Sequence, residues 1–169
     1  INVNNKKVTN IIKRNPQLVD FVGFFIYAFS LGAMFPRLDD IQTSLAIDKA
    51  ELGFLLLCIP LGLQVTLVFA DRLVRAIPFK NIICIGIPSI CFMQFAAVAI
   101  NQISFFAFFL IVCGAFVAVV EVAINLEADR VEHALGSRIM NRSHAFWSIG
   151  FFLAAVVGAL FSQFEVILE

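Results

Sequence analysis

Charge is scarce in this 169-residue chain: Lys, Arg, Asp and Glu together make up 14% of it, and 12 basic residues are matched by 12 acidic ones. A soluble domain carries roughly 25% charged residues, so the deficit excludes an ordinary water-facing globule. The net charge of zero leaves no basic face for nucleic acid. Aromatic variety is also missing, with one Trp and one Tyr beside twenty Phe. There is no H-E-x-x-H zinc motif and no phosphate-binding loop. The four cysteines, Cys58, Cys84, Cys91 and Cys113, all lie in apolar segments without metal-ligand spacing. They read as small packing residues, and no metal or other cofactor is expected. What fills the chain is apolar: 61% of residues are hydrophobic and the mean hydropathy is +0.96. The expectation is a polytopic, all-α membrane protein whose first partner is the lipid bilayer.

Crossing the hydrocarbon takes about 20 apolar residues, and five segments qualify: 18–38, 52–70, 79–100, 103–126 and 143–164. Residues 81–120 carry no charge, and the polar pair Asn101-Gln102 at their middle reads as a tight hairpin between a third and a fourth helix. Pro36 suits the end of the first helix and Pro78 the start of the third, whereas Pro60 and Pro88 are expected to bend the second and third helices internally. The first segment is too long for a signal h-region and reads as a retained span. The chain begins with Ile and stops just after an odd span, as expected of a portion of a longer protein.

Orientation follows from Lys and Arg in the short loops. The flank 1–17 carries Lys6, Lys7, Lys13 and Arg14; the second connection carries Arg72, Arg75 and Lys80; the fourth carries Arg130, Arg138 and Arg142. Those sides are expected in the cytoplasm. The first connection holds Arg37 and Lys49 against Asp39, Asp40, Asp48 and Glu51, the third is uncharged, and the chain ends with Glu165 and Glu169. These are expected outside, in an inner (plasma) membrane. The connection 125–142 is expected to prolong the fourth helix into the cytoplasm, since Glu121, Asn125, Ala128 and Glu132 share one helical face.

Glu121 stands inside an uncharged run long enough to cross the bilayer. A charge near the bilayer centre costs at least a few kcal/mol, so such residues face a bundle interior or a wet cavity and mark solute and ion pathways. Glu121 is therefore the candidate proton-coupling or substrate-binding carboxylate, with Asn125 one turn on to donate to it or hold a polar solute. The competing reading is a structural acid paired with an arginine of another helix. Gln64, Gln94 and Ser148 are candidate cavity-lining residues, although Ser in a membrane helix often bonds its own backbone. Gly150, Ala154 and Gly158 recur every fourth residue, a stripe that lets helices approach closely. An intramembrane hydrolase would need a nucleophile and a base, and His144 with Ser148 is the only obvious pair. No Gly-rich nucleophile turn surrounds them, so no catalytic residue is assigned and an enzyme is not expected. A membrane-embedded scaffold or assembly subunit is the alternative to a carrier.

Residues 69–75, Phe-Ala-Asp-Arg-Leu-Val-Arg, resemble the G-x-x-x-D-[RK]-x-G-[RK]-[RK] loop of the major facilitator superfamily: Asp71, Arg72 and Arg75 match, while Leu67, Val74 and Ala76 depart. The segment 31–45, with Arg37-Leu-Asp-Asp-Ile-Gln42, followed by Glu51-Leu-Gly53, is similar to the first helix and outer loop of the fucose-permease-like branch. So is the run Glu121-Val-Ala-Ile-Asn125, Glu132, Gly136, Arg138, Ile139-Met140 and His144-Ala-Phe-Trp-Ser-Ile-Gly150. The resemblance implies that 18–169 form a partial amino-terminal six-helix bundle of a twelve-helix transporter, whose second half lies on the same or another chain. It implies secondary transport of a small polar solute, coupled to protons, by rocking of two bundles. Asp71, Arg72 and Arg75 would form the conformational loop. The acid that proton-coupled sugar carriers of the branch hold in the first helix has no counterpart in Ser30-Leu-Gly-Ala-Met34, which argues against a sugar cargo.

Overall fold

The structure, a computed structural model, describes residues 15–168, with side chains to residue 163. The flank charges Lys6, Lys7, Lys13 and Arg14 and the terminal Glu165 and Glu169 lie outside the described side chains. Every regular element among the described residues is helical: α1 (Pro16–Gly32), a 3-10 turn (Phe35–Arg37), α2 (Leu38–Leu45), α3 (Lys49–Leu56), α4 (Cys58–Ala76), α5 (Phe79–Ala99), α6 (Ile103–Leu135) and α7 (Met140–Leu168). They make five helical stretches long and apolar enough to cross a membrane, Pro16–Leu45, Lys49–Ala76, Phe79–Ala99, Ile103–Leu135 and Met140–Gln163. This is the all-α architecture with five membrane-length helices expected from the apolar segments, and it is consistent with the partial bundle that the resemblance implies.

Local chemistry sets the breaks. Pro36 has no N–H to return to the carbonyl of residue 32, and α1 stops at Gly32 before the 3-10 turn. The second stretch is interrupted at Leu57, one turn ahead of Pro60, where the missing N–H leaves the Leu56 carbonyl without its helical donor. Pro60 therefore acts on the preceding turn, and α5 stays helical across Pro88. Asp48 and Glu51 form a reciprocal capping box at the start of α3, with Asp48 Oδ1 accepting from the Glu51 N–H at 2.8 Å and Glu51 Oε2 from the Asp48 N–H at 2.9 Å. Gly136, at φ +64°, ends α6 in the left-handed conformation that favours glycine. Glu132 then reaches past that turn to accept from the N–H groups of Ile139 and Met140 at 2.7 and 2.9 Å, which positions the start of α7.

Two helices run past the ends of their apolar segments. α4 continues through Asp71, Arg72 and Arg75 to Ala76, so these three residues, expected in a loop, sit on its last turns and the loop itself is the short link 77–78. α6 spans 33 residues, about 50 Å at 1.5 Å per residue, and so outruns a hydrocarbon core of about 30 Å. Hydropathy marks where a chain leaves lipid, whereas the helical ladder ends only where a cap or a breaker stops it.

The main pairings are α1 with α7, α4 with α6, and α5 with α6. Backbone-to-backbone approach decides two of them. A Cβ at Gly62 would collide with the carbonyl of Ile111, and one at Gly114 with the carbonyl of Ile59, so α4 and α6 are seated on each other through reciprocal glycines. On α7, Gly150 lies against the backbone of Phe25, Ala154 against Gly32, and Gly158 against Pro36. The small-residue stripe thus packs α7 onto α1, as its spacing suggests. A core of Phe24, Tyr27, Ile90, Val117, Val120 and Ile124 joins α1, α5 and α6. The second and fifth stretches bury least of themselves.

Gly62→Ala should lower stability by about 1–3 kcal/mol through overpacking against the Ile111 carbonyl. Gly53→Ala, where nothing lies within 4 Å of the added carbon, should gain about 0.5–1 kcal/mol from helix propensity. Thermal unfolding in detergent, followed by circular dichroism, would show opposite shifts of Tm; equal shifts would contradict this helix contact.

Candidate functional site

All five membrane-length stretches meet at a cavity of about 250 Å³ beside Glu121. The lining comes from Tyr27, Leu31, Met34 and Phe35 near the end of the first helix, Ile59 and Leu63 on α4, and Gln94 on α5. Cys113, Val117 and Glu121 line it from α6, and Trp147 and Phe151 from α7. Glu121 is placed by its register: Cys113, Val117 and Glu121 follow at intervals of four on one helical face. Its carboxylate accepts a hydrogen bond from the Tyr27 hydroxyl, Oε2 to Oη 3.4 Å. Tyr27 is buried and fixed in the core, while Glu121 remains exposed toward the open side. Trp147 and Phe151, one turn apart, stack with ring centroids at 5.4 Å and planes at 12°. Gln94, also buried, lines this cavity and a second one of about 390 Å³ shared with Ser30, Met34 and Arg37.

Of the residues singled out from sequence, Glu121 and Gln94 are brought together, and Asn125, Gln64 and Ser148 are not in the lining. The Asn125 amide donates to the Glu121 backbone carbonyl at 2.8 Å, one turn back on its own helix, rather than to the carboxylate. Ser148 does the same with the His144 carbonyl at 3.1 Å, so its hydroxyl is not aimed at the imidazole, whose ring lies edge-on to Phe24. Gln64 is exposed on α4. Asp71 and Arg75 form an exposed ion pair, 3.0 Å apart, within the last turns of α4, and Arg72 is exposed beside them. The pair borders a wide groove that also holds Glu127 and Arg130, themselves paired at 3.2 Å on α6.

Sequence reasoning missed three participants. Tyr27 and Trp147 are the chain's sole tyrosine and sole tryptophan, and both reach the same cavity. Their rarity, set against twenty Phe, was the available signal. The third is Asp20, which looks peripheral by position yet is only 4% exposed. Ser143, fully buried at the start of α7, donates its hydroxyl to Asp20 Oδ2 at 2.6 Å and ties the first helix to the last. Asp20 Oδ1 is buried without a partner. A contact across 123 residues of sequence leaves no local pattern to read.

Ser143→Ala would strip the one hydrogen-bond donor from a buried carboxyl and should destabilise the chain by about 1–3 kcal/mol. In an Asp20→Ala background the same change should cost far less. A double-mutant cycle in detergent tests this, and additive effects would mean that the two residues are not coupled.

No family model matches the chain, and no solved structure matches it. It is similar to an uncharacterized MFS-type transporter of Yersinia pestis, 28% identical over 138 residues, covering 82% of this chain and 35% of that protein. It is also similar to an uncharacterized transporter of Sinorhizobium fredii, 28% identical over 145 residues, covering 85% of this chain and 38% of that protein. The chain therefore spans little more than a third of the length of the curated relatives it matches. Both likenesses are to proteins named as transporters, one of them MFS-type, and they accompany five helices long and apolar enough to cross a membrane.

Proposed function

We propose that the chain is the larger part of the amino-terminal bundle of a major facilitator carrier of the fucose-permease-like branch. It works by alternating access with a second helical bundle on the same or another chain, in the plasma membrane with its amino terminus in the cytoplasm. The cargo is a small polar solute moved with protons. The observation that carries this reading is the cavity at Glu121, because it gathers residues from every membrane-length stretch around one carboxylate. Secondary carriers place substrate and coupling-ion sites between repeated bundles near the midplane and rock the bundles about them. A cavity-facing carboxylate suits proton coupling, since it can take up a proton in one access state and release it in the other. Tyr27 holds one oxygen of the carboxylate beside the cavity, and Asn125, bonded to the backbone of α6, does not compete for the other.

The Asp71 region supports the same reading differently. Within this bundle Asp71 pairs only across one turn with Arg75, and the pair is exposed. An exposed pair is worth little to stability, which leaves Asp71 available for a contact made in only one state of the carrier. A state-specific contact shifts the balance of conformations without changing the fold.

Glu121→Gln in the complete carrier, reconstituted in proteoliposomes, should abolish proton-driven accumulation while solute exchange continues. Full accumulation against a gradient by that variant would overturn the coupling role. Asp71→Asn should reduce transport about tenfold, the change that about 1.4 kcal/mol makes in a conformational equilibrium, with expression and insertion retained. Transport equal to the unaltered carrier would remove Asp71 from the mechanism.

A further inference from the structure

We infer that the Glu121 cavity takes an organic cation: a protonated amine or quaternary ammonium carried on an apolar body about the size of an aryl ring. This names the cargo class of the site described above and rests on the carrier reading. Among its lining residues Glu121 is the one carboxylate, and none is Lys, Arg or His. An anionic solute would meet an acid with no counter-charge. A hydroxyl-rich solute fares little better, because the polar groups offered are few, Glu121, Gln94, the Trp147 indole N–H and Tyr27, and the Tyr27 hydroxyl is already donated to Glu121. Hydroxyls left unpaired in an apolar site weaken binding strongly. A cation meets the opposite conditions.

The aromatic content of the wall gives the second argument. Tryptophan and tyrosine of membrane helices favour the two membrane–water interfaces. Here the chain's sole Trp and sole Tyr both line one cavity, with Trp147 stacked on Phe151. Aromatic faces attract ammonium groups, Trp most strongly, and more so when the pair is desolvated. The rest of the lining, Leu31, Ile59, Leu63 and Val117 among it, is apolar and suits a hydrocarbon body. Size agrees as well. A dry cavity of roughly 150 Å³ holds benzene, so 250 Å³ accommodates a ring together with its charged head.

Because Trp147 is the single tryptophan, its fluorescence reports on this cavity without labelling. The purified chain in detergent would be titrated with 2-phenylethylammonium, neutral 2-phenylethanol, phenylacetate and L-fucose. The expected result is a saturable change with the cation at an apparent Kd at least about tenfold below the alcohol, a factor equivalent to about 1.4 kcal/mol of attraction to the carboxylate, and no saturation by the anion or the sugar. Glu121→Gln should erase the advantage of cation over alcohol. Equal or tighter binding of alcohol, anion or sugar by the unaltered chain overturns the proposal, whatever the variant does. Uptake of radiolabelled 2-phenylethylammonium by the complete carrier in proteoliposomes separates the two readings. Cation binding without uptake sinks the carrier and leaves the ligand class standing; Glu121-dependent uptake of a sugar or an anion keeps the carrier and sinks the ligand class.

Discussion

Every backbone polar group carried into hydrocarbon has to be answered from within the protein, since no water is there to do it. That constraint explains why the regular structure among the described residues is helical, with each ladder closed inside its own segment. It also explains the fate of the side chains. Ser30 donates to the Tyr27 carbonyl at 2.6 Å, Asn125 to the Glu121 carbonyl and Ser148 to the His144 carbonyl, each one turn back. Two carboxylates cannot be satisfied this way, because an acid needs a donor and the helix interior has none to spare. Asp20 takes Ser143 from the last helix, and Glu121 takes Tyr27 from the first. Each acid is thus answered from a helix distant in sequence.

α6 is the column on which this arrangement stands. It packs against α4 and α5, reaches α1, and carries Glu121 on the face where those neighbours converge. α7 is held from the other side, by its small residues against α1 and by Glu132 capping its first amides. The cavity is therefore a product of helix packing, and its polar groups are few because each must be supported.

The apolar segments were legible in the sequence because their lengths match the bilayer, and Glu121 because its cost there demands a reason. The prolongation of α6 to Leu135 was legible too, from the helical face shared by Glu121, Asn125, Ala128 and Glu132, but the end of α4 was not, since Asp71 and Arg75 follow the apolar segment without leaving the helix. Nor could the sequence separate Gln94, which lines the cavity, from Gln64 and Ser148, which do not. All three are polar residues on apolar helices, and only the neighbour each helix packs against decides which face is inside. Tyr27 was hidden for the same reason. Asp20 stands near a helix end, where an acid draws no notice, and its burial comes from Ser143, folded over it from a distant part of the sequence.

The reciprocal contact of Gly62 and Gly114 reaches further than stability. Ile59, whose carbonyl faces Gly114, and Leu63, whose amide lies beside it, are also the two α4 residues that line the cavity. The width of that side is thus gauged by main chain against main chain, with no side chain interposed to relax. Lineages that exchange the side chains at 59 and 63 can reshape the cavity wall while the spacing of the two helices stays as it is, so the scaffold and the lining are free to evolve separately.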